Sequence, residues 1–124
     1  MNNNITEDYV SFEVAKLLKE KGFSAYCTSL YTEEGKQNDV GNYNGTDDDK
    51  YISYSRPTHA LAIKWIRENF NWNIETGYRN SHKDYSSTIY PMFPNTQVHR
   101  TERFKTSEDS VEAALLYTLK NLIP

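Results

Sequence analysis

The sequence predicts an α+β fold, in which an antiparallel sheet of about four or five strands carries three helices, mainly on one face. Three segments have apolar residues at helical spacing, over roughly 11–21, 58–70 and 107–122. Between them lie stretches rich in Tyr, Thr and Ile that alternate apolar with polar residues. Such alternation is typical of antiparallel strands with one buried and one solvated face.

The first helix is predicted over 11–21, because its apolar residues recur at intervals of three and four. Ser11 can accept hydrogen bonds from the free amides of the first turn. Gly22 can adopt the left-handed conformation that ends a helix, and Phe23 can then close back on Leu18. The segment therefore contains its own start and stop signals.

The other two helices are predicted over 58–70 and 107–122 on the same grounds. Pro57 disfavours a helical residue before it, so Thr58 is the natural N-cap of the second helix. Thr106 or Ser107 can cap the third helix, which has the clearest apolar period in the chain.

The predicted strands occupy the stretches between the helices. The pentapeptide 80–84 is expected to join two of them as a hairpin. Prolines near residues 91–94 restrict that neighbourhood to a sheet edge or a loop. The predicted strands are 24–31, 51–54, 72–78, 85–92 and, more loosely, 97–105.

The segment 32–50 differs from the rest, because it is polar and has a net charge of −4 from six acidic residues and two lysines. We expect a mobile loop or a long hairpin tip that turns at Asn44-Gly45. A calcium-binding EF-hand would require acidic ligands at both ends of its loop. With Gly45 in sixth place, those ends fall on Val40 and Tyr51, so no metal site is predicted.

The composition limits the number of domains and the cellular compartments that are expected for the protein. The 124 residues suit a single domain over 1–124, and the net charge of −3 is too small to keep the chain unfolded. No window is apolar enough to span a membrane, and no export signal is recognisable at the start. Cys27 is the only cysteine, which excludes an internal disulfide and favours a reducing cytoplasm.

Catalytic and cofactor motifs are scarce. Glycine-rich phosphate loops and the usual hydrolase and metalloprotease motifs are absent, so no cofactor is predicted. One alternative is a small enzyme in which His82 and Asp84 act together. His59, His82, His99 and Cys27 stand at no metal-ligand spacing on one helix. The sequence therefore leaves enzymatic activity uncertain and favours a non-catalytic protein.

A second alternative is binding of single-stranded nucleic acid by the segment 79–105. This segment has a net charge of +3 and interleaves cations with aromatic residues, which is the composition of a stacking platform for single strands. The acidic overall charge disfavours nucleic acid as the main partner. The candidate binding residues are Arg79, His82, Lys83, Tyr85, Tyr90, Arg100, Arg103 and Lys105.

The leading prediction is a protein-interaction module that binds a protein partner or a second copy of itself. The ten tyrosines exceed what a core of this size needs, and tyrosine is enriched at interfaces. Half-solvated strands with a free edge can also pair with a second copy of the chain. A homodimer is one form that this module can take.

Three stretches also carry a resemblance: 9–23 (YVSFEVAKLLKEKGF), 57–68 (PTHALAIKWIRE) and 104–114 (FKTSEDSVEAA). They resemble a group of short uncharacterised proteins from gut Bacteroidetes, their phages and their mobile elements. The resemblance covers a third to a half of the chain, mostly its helices. It implies a small intracellular accessory protein of a bacterium or phage, and it carries over no catalytic residue.

Overall fold

The computed structural model describes residues 7–43, 52–93 and 97–124. It has the predicted α+β class. The elements in chain order are α1 (Phe12–Glu20), β1 (Cys27–Thr32), β2 (Gln37–Tyr43), β3 (Ser53–Ser55), α2 (His59–Phe70), β4 (Trp72–Arg79), β5 (Asp84–Pro91), β6 (His99–Arg100) and α3 (Ser107–Tyr117), followed by a π-helical turn (Thr118–Leu122).

The described strands divide between two antiparallel sheets rather than one. The first sheet has the order β2-β1-β3 and the second has the order β4-β5-β6. In the chain, α2 stands between β3, the last strand of the first sheet, and β4, the first strand of the second sheet. The sequence predicts one sheet of four or five strands, whereas each observed sheet has three.

The capping prediction for α1 is confirmed. Ser11 Oγ accepts a hydrogen bond from Val14 N at 3.2 Å. Gly22 has φ +90°, and Phe23 N donates to Leu18 O at 2.9 Å, which is the bond of a Schellman C-cap. Phe23 is 2% exposed, so the residue that closes the helix also enters the core.

The second and third helices begin at the predicted caps. Thr58 Oγ1 accepts from Leu61 N at 3.1 Å, and Thr106 Oγ1 accepts from Asp109 N at 3.1 Å. The predicted span 107–122 is helical throughout, but its last turn widens, with Ile123 N bonded to Thr118 O at 3.2 Å.

The expectation of a mobile loop over 32–50 is wrong for residues 37–43, because Gln37–Tyr43 forms β2. The hairpin turns within 33–36, where Gly35 has φ +87° and Thr32 N bonds to Lys36 O at 2.8 Å. The polar composition of β2 suits an edge strand, which needs no apolar face. The turn predicted at Asn44-Gly45 and the acidic run 47–49 lie outside the described residues.

Gly35 is required at this turn for two reasons. Its positive φ disfavours any residue with a Cβ, and a Cβ placed there would lie 3.0 Å from Phe12 Cδ2. We expect Gly35→Ala to lower the free energy of unfolding by about 1–3 kcal/mol. Gly77→Ala is the matched control, because its Cβ would enter open space, and it should cost no stability. Urea denaturation of both variants measures the difference, and equal stabilities would contradict it.

The strand predicted over 97–105 is shorter than expected but continues as irregular pairing. Only His99–Arg100 is regular strand. Beyond it, Thr101 N donates to Ser87 O at 2.9 Å, and Phe104 exchanges two backbone bonds with Tyr85 at 2.7 and 2.8 Å. The segment therefore follows β5 for almost its whole length.

One cluster of buried apolar side chains contains residues from both sheets and all three helices. Tyr31 of the first sheet and Ile74 of the second belong to it. Tyr31 Oη donates to Val10 O at 2.6 Å, which satisfies the hydroxyl of a side chain that is 6% exposed. The largest fully buried apolar side chains are Leu18, Ile66, Ile89, Leu115 and Leu119.

No helix within the described residues is long and apolar enough to cross a membrane.

Candidate functional site

The second sheet has two chemically different faces. Its inner face packs against α3, as shown by the 3.0 Å contact between Ser87 Oγ and Ser110 Oγ. The opposite, outer face has mainly polar side chains. Strand register assigns Ile74, Thr76, Tyr78, Tyr85, Ser87 and Ile89 to the inner face, and Asn73, Glu75, Gly77, Arg79, Asp84, Ser86, Thr88, Tyr90 and Arg100 to the outer face.

The eight predicted binding residues divide among four places. Arg79, Arg100 and Tyr90 lie on the outer face, and Arg103 joins them by its contact with Asp84. Tyr85 lies on the inner face, with its ring 4.9 Å from that of Tyr78. His82 and Lys83 occupy the turn between β4 and β5, and Lys105 is exposed ahead of α3. The structure thus brings three arginines together on the face that also holds Tyr90, and it places Tyr85 on the opposite face.

Asp84 holds two of these arginines in place. Arg79 donates Nε to Oδ1 at 3.2 Å and Nη2 to Oδ2 at 2.8 Å, a two-pronged ion pair. Arg103 Nη1 donates to Oδ1 at 3.4 Å. The hydrogen bond from Arg79 is the main reason that the pKa of Asp84 lies below its ordinary 3.8. The ion pair therefore contributes stability above that pH and loses the contribution as pH falls through the lowered pKa.

A depression opens on the outer face between the arginines. Short residues form its floor (Gly77, Ser86 and Thr88), and cations form its rim (Arg79, Arg100 and Arg103). Tyr78 completes the lining, and the depression encloses about 320 Å³. We call it the outer-face depression. A Cβ at Gly77 would meet no atom within 4 Å, so the missing side chain leaves this space open. Within the part of the chain that the structure describes, Arg100 has no carboxylate at ion-pair distance.

Tyr90 is fixed by hydrogen bonds on the same face. Its hydroxyl donates to Glu75 Oε1 at 2.6 Å and accepts from Asn73 Nδ2 at 2.8 Å. Arg67 Nη1 donates to Asn73 Oδ1 at 3.1 Å, which extends the network to α2. The hydrogen bond to Glu75 raises the pKa of Tyr90 above 10.0, because that carboxylate accepts the phenolic proton.

A groove runs between the segment 98–104 and α3, on the inner side of the sheet edge. We call it the β6–α3 groove; it encloses about 510 Å³. Val98 and Tyr117 are 55% and 40% exposed, which is unusual for large apolar or aromatic side chains beside a cavity. Its lining includes Ile89, Val98, Phe104, Ala113 and Tyr117, with Arg100 and Glu102 as charged members.

His99 forms part of the lining of this groove. Its ring lies 5.2 Å from the ring of Tyr117 and 5.9 Å from that of Trp72. Nδ1 is 3.2 Å from Tyr117 Oη, whereas the buried Nε2 has no hydrogen-bond partner among the described residues. The aromatic contacts hold Tyr117 at the side of the groove.

The residues proposed for catalysis do not form a constellation. His82 Nδ1 lies 2.8 Å from Ser81 Oγ in an exposed turn, and the Asp84 carboxylate is bound by arginines. Cys27 is buried, and its Sγ donates to Ser29 O at 3.1 Å. In residues 7–43, 52–93 and 97–124, no three His, Cys, Asp or Glu side chains stand close enough to hold a metal ion.

One polar contact that sequence reasoning missed joins the three helices. His59 Nε2 lies 2.9 Å from Glu112 Oε1, and the same oxygen accepts a hydrogen bond from Ser11 N at 2.8 Å. His59 is 7% exposed, and its backbone N donates to Asp8 O at 2.8 Å. We call this contact the His59–Glu112 junction. No sequence signal connects residues 53 positions apart, so only the fold reveals it.

Arg56 is a second residue that the sequence did not single out. Its guanidinium carbon lies 4.1 Å from the ring centre of Tyr9 and 5.6 Å from that of Tyr31. Nη1 donates to Ser29 Oγ at 3.0 Å, so the side chain connects β1 with the segment before α1. Cation–π stacking explains how a partly buried arginine is accommodated there.

Comparison of the chain with protein-family models, curated proteins and solved structures finds no match. The resemblance to short Bacteroidetes and phage proteins therefore stays a prediction.

Proposed function

We propose that this protein is a non-catalytic interaction module that binds a second copy of itself through the β6–α3 groove. The observation that carries the proposal is the exposure of Val98 and Tyr117 directly beside an open cavity. Side chains of this kind in water favour burial against a partner.

Self-association is favoured because the patch contains both protruding and receiving parts. Val98 and Tyr117 are the exposed side chains, and Ile89, Phe104 and Ala113 line the cavity. In a twofold dimer each copy presents the same patch, so the protruding residues of one copy can meet the cavity of the other.

The strand edge beside the groove supports the same proposal. In the described sheet β6 pairs only with β5, so its other edge has no strand partner there. Free backbone groups at an edge invite pairing with another chain. A two-residue strand supplies few such groups, so apolar contacts are the larger contribution.

The proposed setting is the cytoplasm of a bacterium or a phage-infected cell, where the protein serves as an accessory factor. The lone Cys27 supports a reducing compartment, because it is a buried free thiol. The resemblance of three sequence stretches to Bacteroidetes and phage proteins supports the same setting.

Binding of single-stranded nucleic acid ranks second. The gathering of Arg79, Arg100 and Arg103 on one face supports it. The aromatic residues support a stacking platform less well, because Tyr85 faces inward and the Tyr90 hydroxyl is hydrogen-bonded to its neighbours. We therefore place this candidate below self-association.

The test compares two variants by light scattering after size exclusion. The wild-type mass is expected to rise with concentration towards twice that of the chain. Val98→Glu should weaken self-association by at least about tenfold, because it buries a charge in the interface. Ile52→Glu is the matched control, since Ile52 is 52% exposed but lies ahead of β3, and it should leave the dimer intact. A wild-type chain that stays monomeric at millimolar concentration contradicts the proposal.

A further inference from the structure

We propose that the outer-face depression is a binding site for the phosphate group of a small phosphomonoester. The observation behind it is the meeting of Arg79, Arg100 and Arg103 around a floor of short residues. This site lies on the opposite side of the sheet from the groove, and it does not depend on self-association. Only Arg100 borders both.

The charge of the site matches a phosphomonoester. Three guanidinium groups and the Asp84 carboxylate leave a formal charge of +2. A phosphomonoester carries a charge of about −1.5 to −2 at neutral pH, whereas a diester carries one negative charge. Glu75 lies on the same face but does not line the depression, and its carboxylate accepts a hydrogen bond from Tyr90 at 2.6 Å. A dianion is therefore the ligand that the local charge best balances.

Two of the three arginines are already held in position before a ligand binds. Asp84 fixes Arg79 and Arg103 through three contacts of 2.8–3.4 Å, so these side chains lose less freedom when a ligand arrives. Their side chains remain 37% and 39% exposed, which leaves part of each guanidinium open to the depression. Arg100 is exposed and has no ion pair in the described part of the chain, so it can bind the phosphate as its main partner.

The floor supplies space and hydroxyl groups. Gly77 leaves the cavity open, and Ser86 and Thr88 line it with short side chains. Both hydroxyls border the depression, so they can donate to phosphate oxygens. Guanidinium forks and hydroxyl donors together form a typical phosphate environment.

A compact ligand fits better than a nucleic-acid strand. The whole chain has a net charge of −3, which repels a polyanion beyond the immediate site. Stacking of successive bases needs several open aromatic rings, whereas Tyr78 is the one aromatic residue in the described lining of the depression and Tyr85 is turned to the inner face. The cationic part of the surface is confined to one depression of about 320 Å³.

The test is an NMR titration of the wild-type chain at constant ionic strength. Inorganic phosphate and thymidine 5′-monophosphate are expected to shift the amide signals of Gly77, Ser86, Thr88 and Arg100. An oligothymidylate of eight residues without a terminal phosphate should shift them at least about tenfold more weakly, because it offers only diesters. Tighter binding of the oligothymidylate would overturn the proposal in favour of nucleic acid. The absence of shifts at these residues would also overturn it.

Two variants and two controls connect the binding to the depression. Arg100→Gln should weaken phosphate binding at least about tenfold. It removes the guanidinium group that has no ion-pair partner among the described residues. Lys64→Gln on α2 makes the same change in net charge away from the site and should have no effect. Gly77→Val fills the floor without changing charge and should abolish the shifts at Ser86 and Thr88. Val98→Glu should leave phosphate binding unchanged, and a joint loss would show that the two surfaces are one.

Discussion

Replacing Leu115 with alanine is expected to lower the free energy of unfolding by about 3–4 kcal/mol, the cost of opening a cavity in a closely packed core. Leu115 is 0% exposed and belongs to the apolar cluster on α3. This helix contacts α1, α2 and the second sheet, so no single neighbour can move to fill the cavity. A marginally stable domain of this size would lose a large part of its stability.

The neighbouring residue provides the control for this prediction. Leu116 lies on the same helix but is only partly buried, so Leu116→Ala changes helix propensity equally and removes less packing. We expect it to cost about 1–2 kcal/mol, because it loses only part of the transfer free energy. Urea denaturation measures both variants, and equal losses would mean that α3 does not bury Leu115 more deeply than Leu116.

Breaking the His59–Glu112 junction is expected to have the next largest effect on stability. Glu112→Ala removes the acceptor shared by Ser11 N and His59 Nε2, at 2.8 and 2.9 Å. His59 is 7% exposed, so water cannot fully replace the lost partner. Because hydrogen bonds to a charged group are worth more than neutral ones, we expect a loss of about 2–3 kcal/mol.

A conservative change distinguishes the hydrogen bonds of the junction from the packing of the Glu112 side chain. Glu112→Gln keeps an amide oxygen that can accept from Ser11 N, so it should recover part of the loss. Glu108→Ala, one turn earlier and exposed, should cost about 0.5 kcal/mol through the helix dipole alone. The prediction fails if Glu112→Ala is no more destabilising than Glu108→Ala in thermal or urea unfolding.

The helices were predictable because their ends are determined by residues that lie close together in the sequence. Ser11, Thr58 and Thr106 each accept the expected amide hydrogen bond, and Gly22 ends α1 with positive φ. These interactions span three or four residues, and a sequence displays them directly. The fold class followed from the order of these segments.

The first sheet was less predictable, because its pairing depends on distant or polar residues. Gln37–Tyr43 is an edge strand without an apolar period, so it looked like a loop. The decisive feature is Gly35, which lies under the ring of Phe12 and allows a short hairpin. Sequence showed the glycine but not the ring that makes it necessary.

For the candidate sites, the sequence identified the segment 79–105 but did not show which of its side chains lie on which face of the sheet. Strict alternation from Arg100 would place Arg103 on the opposite side of the sheet from it. The chain leaves regular strand geometry after Arg100, and Thr101 Oγ1 accepts a hydrogen bond from Ser87 N at 2.9 Å. That irregularity allows Arg103 to reach Asp84 on the outer face. The β6–α3 groove joins Val98 to Tyr117, a pairing that only tertiary structure creates.

Hydrogen–deuterium exchange of the wild-type chain at a low and a high protein concentration tests the proposed interaction surface most directly. Self-association through the β6–α3 groove predicts slower exchange at the high concentration in residues 98–104 and 113–117. Exchange in β1 and β2 should stay the same at both concentrations. Unchanged exchange along the groove, or slower exchange confined to another surface, would contradict the proposed function.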